Sequence, residues 1–166
     1  TRGTFDVEAI HPEKLSEHEL LHLAAHVERY STHPIALALR MAYTDEKDNC
    51  TVEDIQETAG QGITATVNNQ KVSVGNSRLM ATLGITIPTC KRCASHAGTI
   101  VHVAVEDEYA GHIVISDQLK ADAVKAIEFL KQLGVSKTVM LSGDKREVVE
   151  QIAEQTKVTE YYAELL

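Results

Sequence analysis

The pattern of apolar residues changes near residue 113, and this change limits the chain to two kinds of sheet. Before it, residues 63–67 and 71–75 alternate between apolar and polar side chains around a short polar turn. Residues 99–105 and 109–116 repeat this arrangement across a second polar turn. Such alternation is typical of strands with one buried face, joined here as hairpins. This part of the chain is therefore predicted to form an antiparallel sheet, which residues 52–58 extend as a further strand.

From residue 113 onward, short apolar runs alternate with helical segments in the order β-α-β-α-β. Strands are predicted at residues 113–116, at 138–141 and from residue 160, with helices over 121–133 and 145–156. The continuous apolar run at 138–141 is typical of parallel sheets, whose strands are buried on both faces. The chain is therefore predicted to be an α/β protein with two parts, one antiparallel and one Rossmann-like.

Two amphipathic helical segments precede the sheet, and the break between them carries Glu28 and His33. Pro34 is expected to open the second helix, because proline at a first helical position wastes no hydrogen-bond donor. His33 would then lie at the mouth of a helix–helix corner. A neutral imidazole can stack there on a flat ring, and the Glu28 carboxylate can accept a hydrogen bond from an exocyclic amine. The alternative is an ordinary His-Pro helix start with no ligand.

Glycines flank the first predicted hairpin. Gly60 and Gly62 precede the strand that begins at Ile63, and Gly75 with Asn76 ends the returning strand. Glycine permits positive φ and allows the backbone to approach a ligand closely, which a Cβ would prevent. The alternatives are a bulge or tight corner for the glycines and a helix-capping role for Asn76.

Ser142 and Gly143 follow the apolar strand 138–141. Ligands of open α/β sheets bind beyond the carboxyl ends of the strands, where Asp117 and residues 142–144 are expected to lie. A serine hydroxyl and a glycine amide at a helix N-terminus suit a phosphoryl oxygen. A plain helix start is the alternative for this segment.

The cysteines invite a metal-site hypothesis. Cys90, Cys93 and His96 form a Cys-x-x-Cys segment with a nearby histidine, but a zinc site normally needs a fourth ligand. Cys50 and His102 are further candidates and have no matching spacing. A surface loop with free thiols is the competing interpretation.

Composition excludes several classes of partner. The net charge is −8 and the lysines and arginines are not clustered, which argues against nucleic acid and anionic membrane surfaces. ATP is not excluded, because backbone amides and Mg²⁺ can hold its phosphates. No apolar run approaches the length of a membrane span, and three cysteines without a secretory signal indicate a cytosolic setting.

Five short motifs together resemble those of the heavy-metal-transporting P-type (P1B) ATPases. Ser-x-His-Pro at 31–34, Gly-x-Gly-Ile at 60–63 and Val-Gly-Asn at 74–76 resemble, in this order, the motifs of the nucleotide-binding domain. Residues 140–144, Met-Leu-Ser-Gly-Asp, resemble the Met-Leu-Thr-Gly-Asp motif of the phosphorylation domain. Residues 117–120 resemble that family's Asp-x-x-Arg/Lys hinge segment.

The resemblance implies an ATP-binding domain, residues 11–112, inserted into a partial phosphorylation domain of haloacid-dehalogenase type, residues 1–10 and 113–166. Glu28 would bond the adenine amino group and His33 would stack on the ring. The remaining implied nucleotide contacts are Gly60, Gly62, Ile63, Gly75 and Asn76. Ser142, Gly143 and Asp144 would face the phosphoryl group and Mg²⁺, with Asp117 and Lys120 at the hinge.

The same resemblance implies a parent that exports metal through an aspartyl-phosphate, as the cytosolic domain of an integral membrane protein. The family's phosphorylated aspartate would precede Thr1, so the isolated chain is expected to bind nucleotide without hydrolysing it. Its partners would be ATP and the rest of the pump, with its transmembrane and actuator domains. Residues 133–141 favour a zinc, cadmium or lead pump. The alternatives are a copper pump, a stand-alone phosphatase, for which Asp6 lacks the required motif, and a metal-binding interaction module.

Overall fold

The computed structural model describes residues 5–44, 49–90, 98–117, 122–143 and 146–165. The described residues fall into two compact units, one up to residue 117 and the other from residue 122. No helix in the described ranges is long and apolar enough to cross a membrane.

The first unit is built on one antiparallel sheet of six strands in the order β1-β6-β5-β4-β3-β2. Its strands are β1 (Phe5–Pro12), β2 (Val52–Thr58), β3 (Gly62–Val67), β4 (Gln70–Gly75), β5 (Thr99–Val105) and β6 (Glu108–Asp117). Its helices are α1 (Glu17–Val27), α2 (Pro34–Ala42) and α3 (Ser77–Thr82), with a 3-10 turn at Glu28–Tyr30. The predicted antiparallel sheet and helix pair are confirmed.

The predicted hairpins form at tight turns. Asn68 and Asn69 have φ values of 47° and 64° between β3 and β4, and Glu106 and Asp107 have 50° and 63° between β5 and β6. Two consecutive residues with positive φ match the right-handed twist of the flanking strands. Asparagine and aspartate tolerate this conformation best among residues with a Cβ, and they occupy three of these four positions.

Helix α1 packs on the sheet and encloses the main core. Its Ser16 side chain accepts from the Glu19 amide while Glu19 reaches back to the Ser16 amide, so the helix begins with a capping box. The core is formed by buried aliphatic side chains of α1, α2 and strands β3 to β6: Leu20, Ala24, Val27, Leu39, Val67, Val72, Val74, Val103, Ile113 and Ile115.

The second unit contains α4 (Ala123–Gln132), β7 (Val139–Leu141), α5 (Arg146–Thr156) and β8 (Glu160–Tyr162). Strands β7 and β8 pair in parallel, as predicted. Residues 113–116 lie in β6, between β1 and β5 of the antiparallel sheet. Their prediction as part of the hairpin strand 109–116 is therefore confirmed, and their assignment to the parallel part was wrong. Ile113, Val114 and Ile115 are all buried there. A central antiparallel strand covered on both faces gives the same continuous apolar run as a parallel strand.

Strand β7 is less buried than its sequence predicts. Val139 is 44% exposed and Leu141 is 68% exposed. Within the described residues the parallel sheet has only two strands, so each strand has one unpaired edge and little cover. The predicted burial of β7 is therefore wrong for this structure, although its predicted strand conformation and parallel pairing are confirmed.

Candidate functional site

The corner between α1 and α2 is closed by one arginine. Arg40 Nη1 donates to the carbonyl oxygens of Glu28 (2.7 Å) and Ser31 (2.9 Å). Glu28 is the C-cap of α1 and Ser31 is the C-cap of the 3-10 turn, and the Glu28 carbonyl also accepts from the Ser31 amide (3.1 Å). The guanidinium therefore holds the segment that carries Glu28 and His33 in one shape.

Glu28 is a buried carboxyl group, only 8% exposed. Burial raises its pKa, the Ser31 hydroxyl bond and the Arg40 charge oppose the rise, and the Glu57 carboxylate adds to it. Glu57 lies in β2, three residues before Gly60. Glu28 is thus within electrostatic reach of the strand that leads into the glycine turn.

His33 is exposed and forms the N-cap of α2. Its Nδ1 accepts from the Ile35 amide (3.2 Å), and its own amide donates to Ser31 Oγ (3.2 Å). The Ser31 hydroxyl therefore joins His33 to Glu28, with which it also bonds. The helix start that the sequence offered as the alternative is present, and the cap bond of His33 uses one ring nitrogen and leaves the ring faces uncommitted to that bond.

Gly62 and Gly75 are paired across β3 and β4 at a point where the two backbones nearly touch. Gly62 has a φ of +147°, and a Cβ built there would lie 2.2 Å from the Val74 carbonyl oxygen. A Cβ on Gly75 would lie 2.2 Å from the Gln61 carbonyl oxygen. Both positions therefore require glycine for packing alone. Gly60 differs, because its φ is +69° and a Cβ would meet nothing within 4 Å.

Asn76 ties the glycine turn to α3. Its side-chain oxygen accepts from the amides of Arg78 (2.9 Å) and Leu79 (3.3 Å), as the capping prediction requires. Its side-chain amide donates to the Gly60 carbonyl oxygen (2.9 Å). One side chain thus starts a helix and holds the turn. Ile63, which follows Gly62 in β3, is buried in the main core.

The structure therefore brings the predicted residues into two groups. Gly60, Gly62, Gly75 and Asn76 form one of them, at one end of β3 and β4. Glu28 and His33 form the other, linked by Ser31. Sequence reasoning missed Ser31, Arg40 and Glu57 as parts of this region. Ser31 stands within the Ser-x-His-Pro motif and could have been found, whereas nothing in the sequence pairs Arg40 with a corner nine residues or more away.

The remaining predicted residues are only partly described. The Ser142 amide donates to the Tyr162 carbonyl (3.0 Å), and its own carbonyl accepts from Leu165 (3.2 Å). Gly143 is exposed. Asp117 ends β6 and its side chain is outside the described part of the structure, as are Lys120 and Asp144. Cys90 is half-buried, and Cys93 and His96 also lie outside the described residues.

A buried histidine network crosses β5 and β6. The Tyr109 hydroxyl lies 2.9 Å from His102 Nδ1 and 3.1 Å from His112 Nδ1. Burial, with a smaller contribution from His112, lowers the pKa of His102 from 6.5 to about 4. Burial and His11 also lower the pKa of His112, against an opposing effect of Glu13. His102 and His112 are therefore neutral near pH 7.

The lowered pKa of His102 makes the stability of the folded chain sensitive to acid. Because the folded-state pKa of His102 lies below its unfolded value, its contribution to stability is complete above about pH 6.5 and is lost as the pH falls toward about 4. We expect the free energy of unfolding to fall by about 2 kcal/mol between pH 7 and pH 5 through this residue. Urea denaturation across that range, with histidine NMR titration, measures it. A His102 pKa near 6.5 in the folded protein would contradict the expectation.

A shallow cavity of about 300 Å³ lies at the opposite end of the sheet from Gly62 and Gly75. Its lining includes Leu15, Tyr109 and Ala110, and an exposed Lys14–Glu108 ion pair borders it. It contains none of the predicted nucleotide residues. An exposed ion pair such as Lys14–Glu108 contributes little interaction energy, and we assign the cavity no ligand.

The comparisons with known proteins agree with the motifs. The haloacid dehalogenase-like hydrolase family matches residues 1–166. The zinc-transporting ATPase of Synechocystis sp. is 47% identical over 167 residues, which cover 100% of this chain and 23% of that protein. The cadmium, zinc and cobalt-transporting ATPase of Bacillus subtilis (strain 168) is 42% identical over 168 residues, with the same coverage. The chain thus spans about a quarter of the length of these relatives.

Solved structures give the same result. A zinc-transporting PIB-type ATPase in its E2.Pi state matches with a TM-score of 0.77 and 38% identity, over 100% of this chain and 27% of that one. The catalytic domain of the CPx-ATPase CopB-B, which changes conformation upon nucleotide binding, matches with a TM-score of 0.69 and 25% identity. That match covers 99% of this chain and 57% of the other.

Proposed function

Because this chain belongs to the haloacid dehalogenase-like hydrolases and matches zinc- and cadmium-transporting P-type ATPases over its whole length, we propose that its first unit binds ATP. The observation that carries the proposal is the corner of Glu28, Ser31 and His33, held by Arg40 and within electrostatic reach of Glu57 near the glycine turn. The corner offers a carboxyl group and an exposed ring at fixed positions.

Adenine is the base that this pair of side chains suits. The carboxyl oxygen of Glu28 can accept from the exocyclic amine of adenine, and guanine presents a carbonyl oxygen at the same position instead. The imidazole of His33 offers an aromatic face for stacking, because its cap bond uses only the edge of the ring. Glu28 therefore selects the base and His33 adds affinity without selecting it.

The glycine turn is proposed to lie beside the sugar and phosphates. Gly60 is the member whose missing side chain is not explained by packing, since a Cβ there meets nothing within 4 Å. Its open face is where a ligand can approach the backbone. Gly62, Gly75 and Asn76 hold that turn in place, and Ile63 supports it from the core.

For the whole protein we propose ATP-driven export of zinc or cadmium across a membrane, together with domains that this chain does not contain. Ser142, Gly143 and Asp144 would face the phosphoryl group, with Asp117 and Lys120 at the hinge. The Asp144 and Asp117 carboxylates are of the donor type that Mg²⁺ takes. Mg²⁺ bound with the nucleotide would neutralise phosphate charge.

Zinc is favoured over copper as the exported metal by the identities of the relatives. The zinc-transporting relative is 47% identical to this chain, whereas a copper-exporting relative is 33% identical.

Calorimetry with ATP and GTP tests the proposed adenine contact. We expect ATP to bind at about −4 to −6 kcal/mol, tens of micromolar to millimolar, with little need for Mg²⁺. GTP should bind about tenfold more weakly, because guanine presents a carbonyl oxygen to Glu28 where adenine presents an amine. Glu28→Gln should narrow this difference, since the glutamine amide can donate to the guanine carbonyl. Equal binding of ATP and GTP by the unmodified chain would contradict the assignment of Glu28.

A further inference from the structure

Two histidines and a cysteine converge between α1 and the start of β2. His22 and His26 lie four residues apart on one face of α1, which places their rings one turn from each other. Their ring centroids are 4.6 Å apart. Cys50 approaches from the segment before β2, with its Sγ 3.1 Å from His22 Nε2. One ligand atom of each of the three residues lies within 4.8 Å of the other two.

The sulfur of Cys50 has a fixed polar neighbour. The side-chain amide of Asn68 donates to Cys50 Sγ (3.0 Å), and the side-chain carbonyl oxygen of Asn68 accepts from the Thr51 amide (3.0 Å). The Asn68 side chain is therefore held in place with its N–H groups toward the sulfur. Such outer partners orient ligands in known metal sites.

The imidazoles are also held in place. The ring of Tyr43 stacks on His22 with centroids 5.2 Å apart and planes 13° apart, and its edge meets His26. His26 is only 7% exposed. Packing explains why these rings lie together, but it does not require a sulfur at hydrogen-bond distance from an imidazole nitrogen. The cluster has the donors and the rigidity of a binding site.

We propose that His22, His26 and Cys50 form a site for Zn²⁺ or a similar thiophilic divalent cation. Two imidazole nitrogens and one thiolate suit such ions and do not suit Mg²⁺ or Ca²⁺. With bonds of about 2.1 Å to nitrogen and 2.3 Å to sulfur, tetrahedral ligands stand about 3.5 Å apart. His22 Nε2 and Cys50 Sγ are 3.1 Å apart, and all three ligand atoms lie within 4.8 Å of one another. Binding releases the thiol proton to solvent, and three protein ligands leave one coordination position for water or substrate.

The three proposed metal ligands are not among the proposed nucleotide contacts, although His26 lies two residues before Glu28. Cys50 and Asn68 lie at the end of β2 and β3 where Val52 pairs with Val67, whereas Thr58 pairs with Gly62 at the other end. The cluster is also distinct from the Cys-x-x-Cys segment that the sequence suggested. Metal binding can therefore be tested without nucleotide, and its failure would leave the ATP proposal untouched.

Cobalt spectroscopy on the 166-residue chain tests this proposal. Co²⁺ should produce a thiolate-to-cobalt charge-transfer band and the visible bands of tetrahedral cobalt at one equivalent, and Zn²⁺ should displace it. Cys50→Ser should abolish the charge-transfer band and weaken Zn²⁺ binding at least about tenfold. Loss of a residue that only hydrogen-bonds to a metal ligand already costs about that much, and Cys50 is proposed as a ligand itself. His22→Gln, at a half-buried position, should weaken binding similarly. Zn²⁺ should raise the melting temperature of the unmodified chain but not of Cys50→Ser.

Cys90→Ser is the matched control, because Cys90 is equally half-buried and lies outside the cluster. It should retain the cobalt band and the Zn²⁺ affinity. The proposal is overturned if the unmodified chain shows no thiolate band, or if the band survives Cys50→Ser. Loss of the band in Cys90→Ser would then assign it to the Cys-x-x-Cys segment.

Discussion

Gly62→Ala is expected to destabilise the first unit by about 3 to 5 kcal/mol, enough to unfold much of a marginally stable protein. A Cβ at this position would lie 2.2 Å from the Val74 carbonyl oxygen and 2.5 Å from the Gly75 Cα. Both are backbone atoms of the paired strand, so neither can rotate away. The φ of +147° adds strain that residues with a Cβ rarely accept.

Gly60→Ala is the matched control for this prediction. It lies two residues away with a φ of +69°, where a Cβ meets no atom within 4 Å. The cost should be only the left-handed backbone penalty of about 1 to 2 kcal/mol. Urea denaturation of both variants measures the difference. Similar losses of unfolding free energy in the two variants would show that strand contact does not determine the role of Gly62.

His33→Asn is expected to weaken ATP binding roughly 5- to 100-fold, the range that corresponds to about 1 to 3 kcal/mol of base stacking. Asparagine is among the best N-cap residues, so the bond to the Ile35 amide is preserved and α2 should keep its start. The melting temperature should therefore hardly change. Calorimetry and thermal unfolding of the same sample measure both quantities.

His33→Ala separates the two roles of this residue. It removes both the cap and the ring, so it should weaken ATP binding as His33→Asn does and also cost about 1 kcal/mol of stability. If His33 is a cap alone, His33→Asn will bind ATP as tightly as the unmodified chain. That outcome would end the assignment of His33 to the adenine ring.

The first unit was predictable because its signals are local. Alternation marks each strand, and the polar turns supply residues that tolerate positive φ. Asn76 could be predicted as a cap from its position before a short helix. Residues 113–116 received two predictions, the end of a hairpin strand and the start of the parallel part, because three consecutive buried residues fit a parallel strand and a doubly covered antiparallel strand equally well. Only the pairing of β6 with β1 and β5 decides between the two.

The sites were less predictable because they depend on side chains from distant positions. His22 and His26 are visible as a helical pair, but Cys50 joins them only after β2 has paired with β3 and brought Asn68 beside it. Arg40 likewise reaches the corner at Glu28 only when α2 folds back on α1. The Cys-x-x-Cys segment was visible in the sequence because its residues are close along the chain. A cluster that forms only on folding has no such spacing.

The corner at Glu28 and His33 and the turn at Gly60 are proposed to form one nucleotide site, and amide NMR titration of the chain with ATP measures whether they do. We expect millimolar ATP to shift the resonances of His33, Gly60 and Gly62 together, with one common affinity, and to leave those of Asn68 and Asp107 at the far turns unchanged. No shift at His33 and Gly60, or shifts with two different affinities, would contradict it.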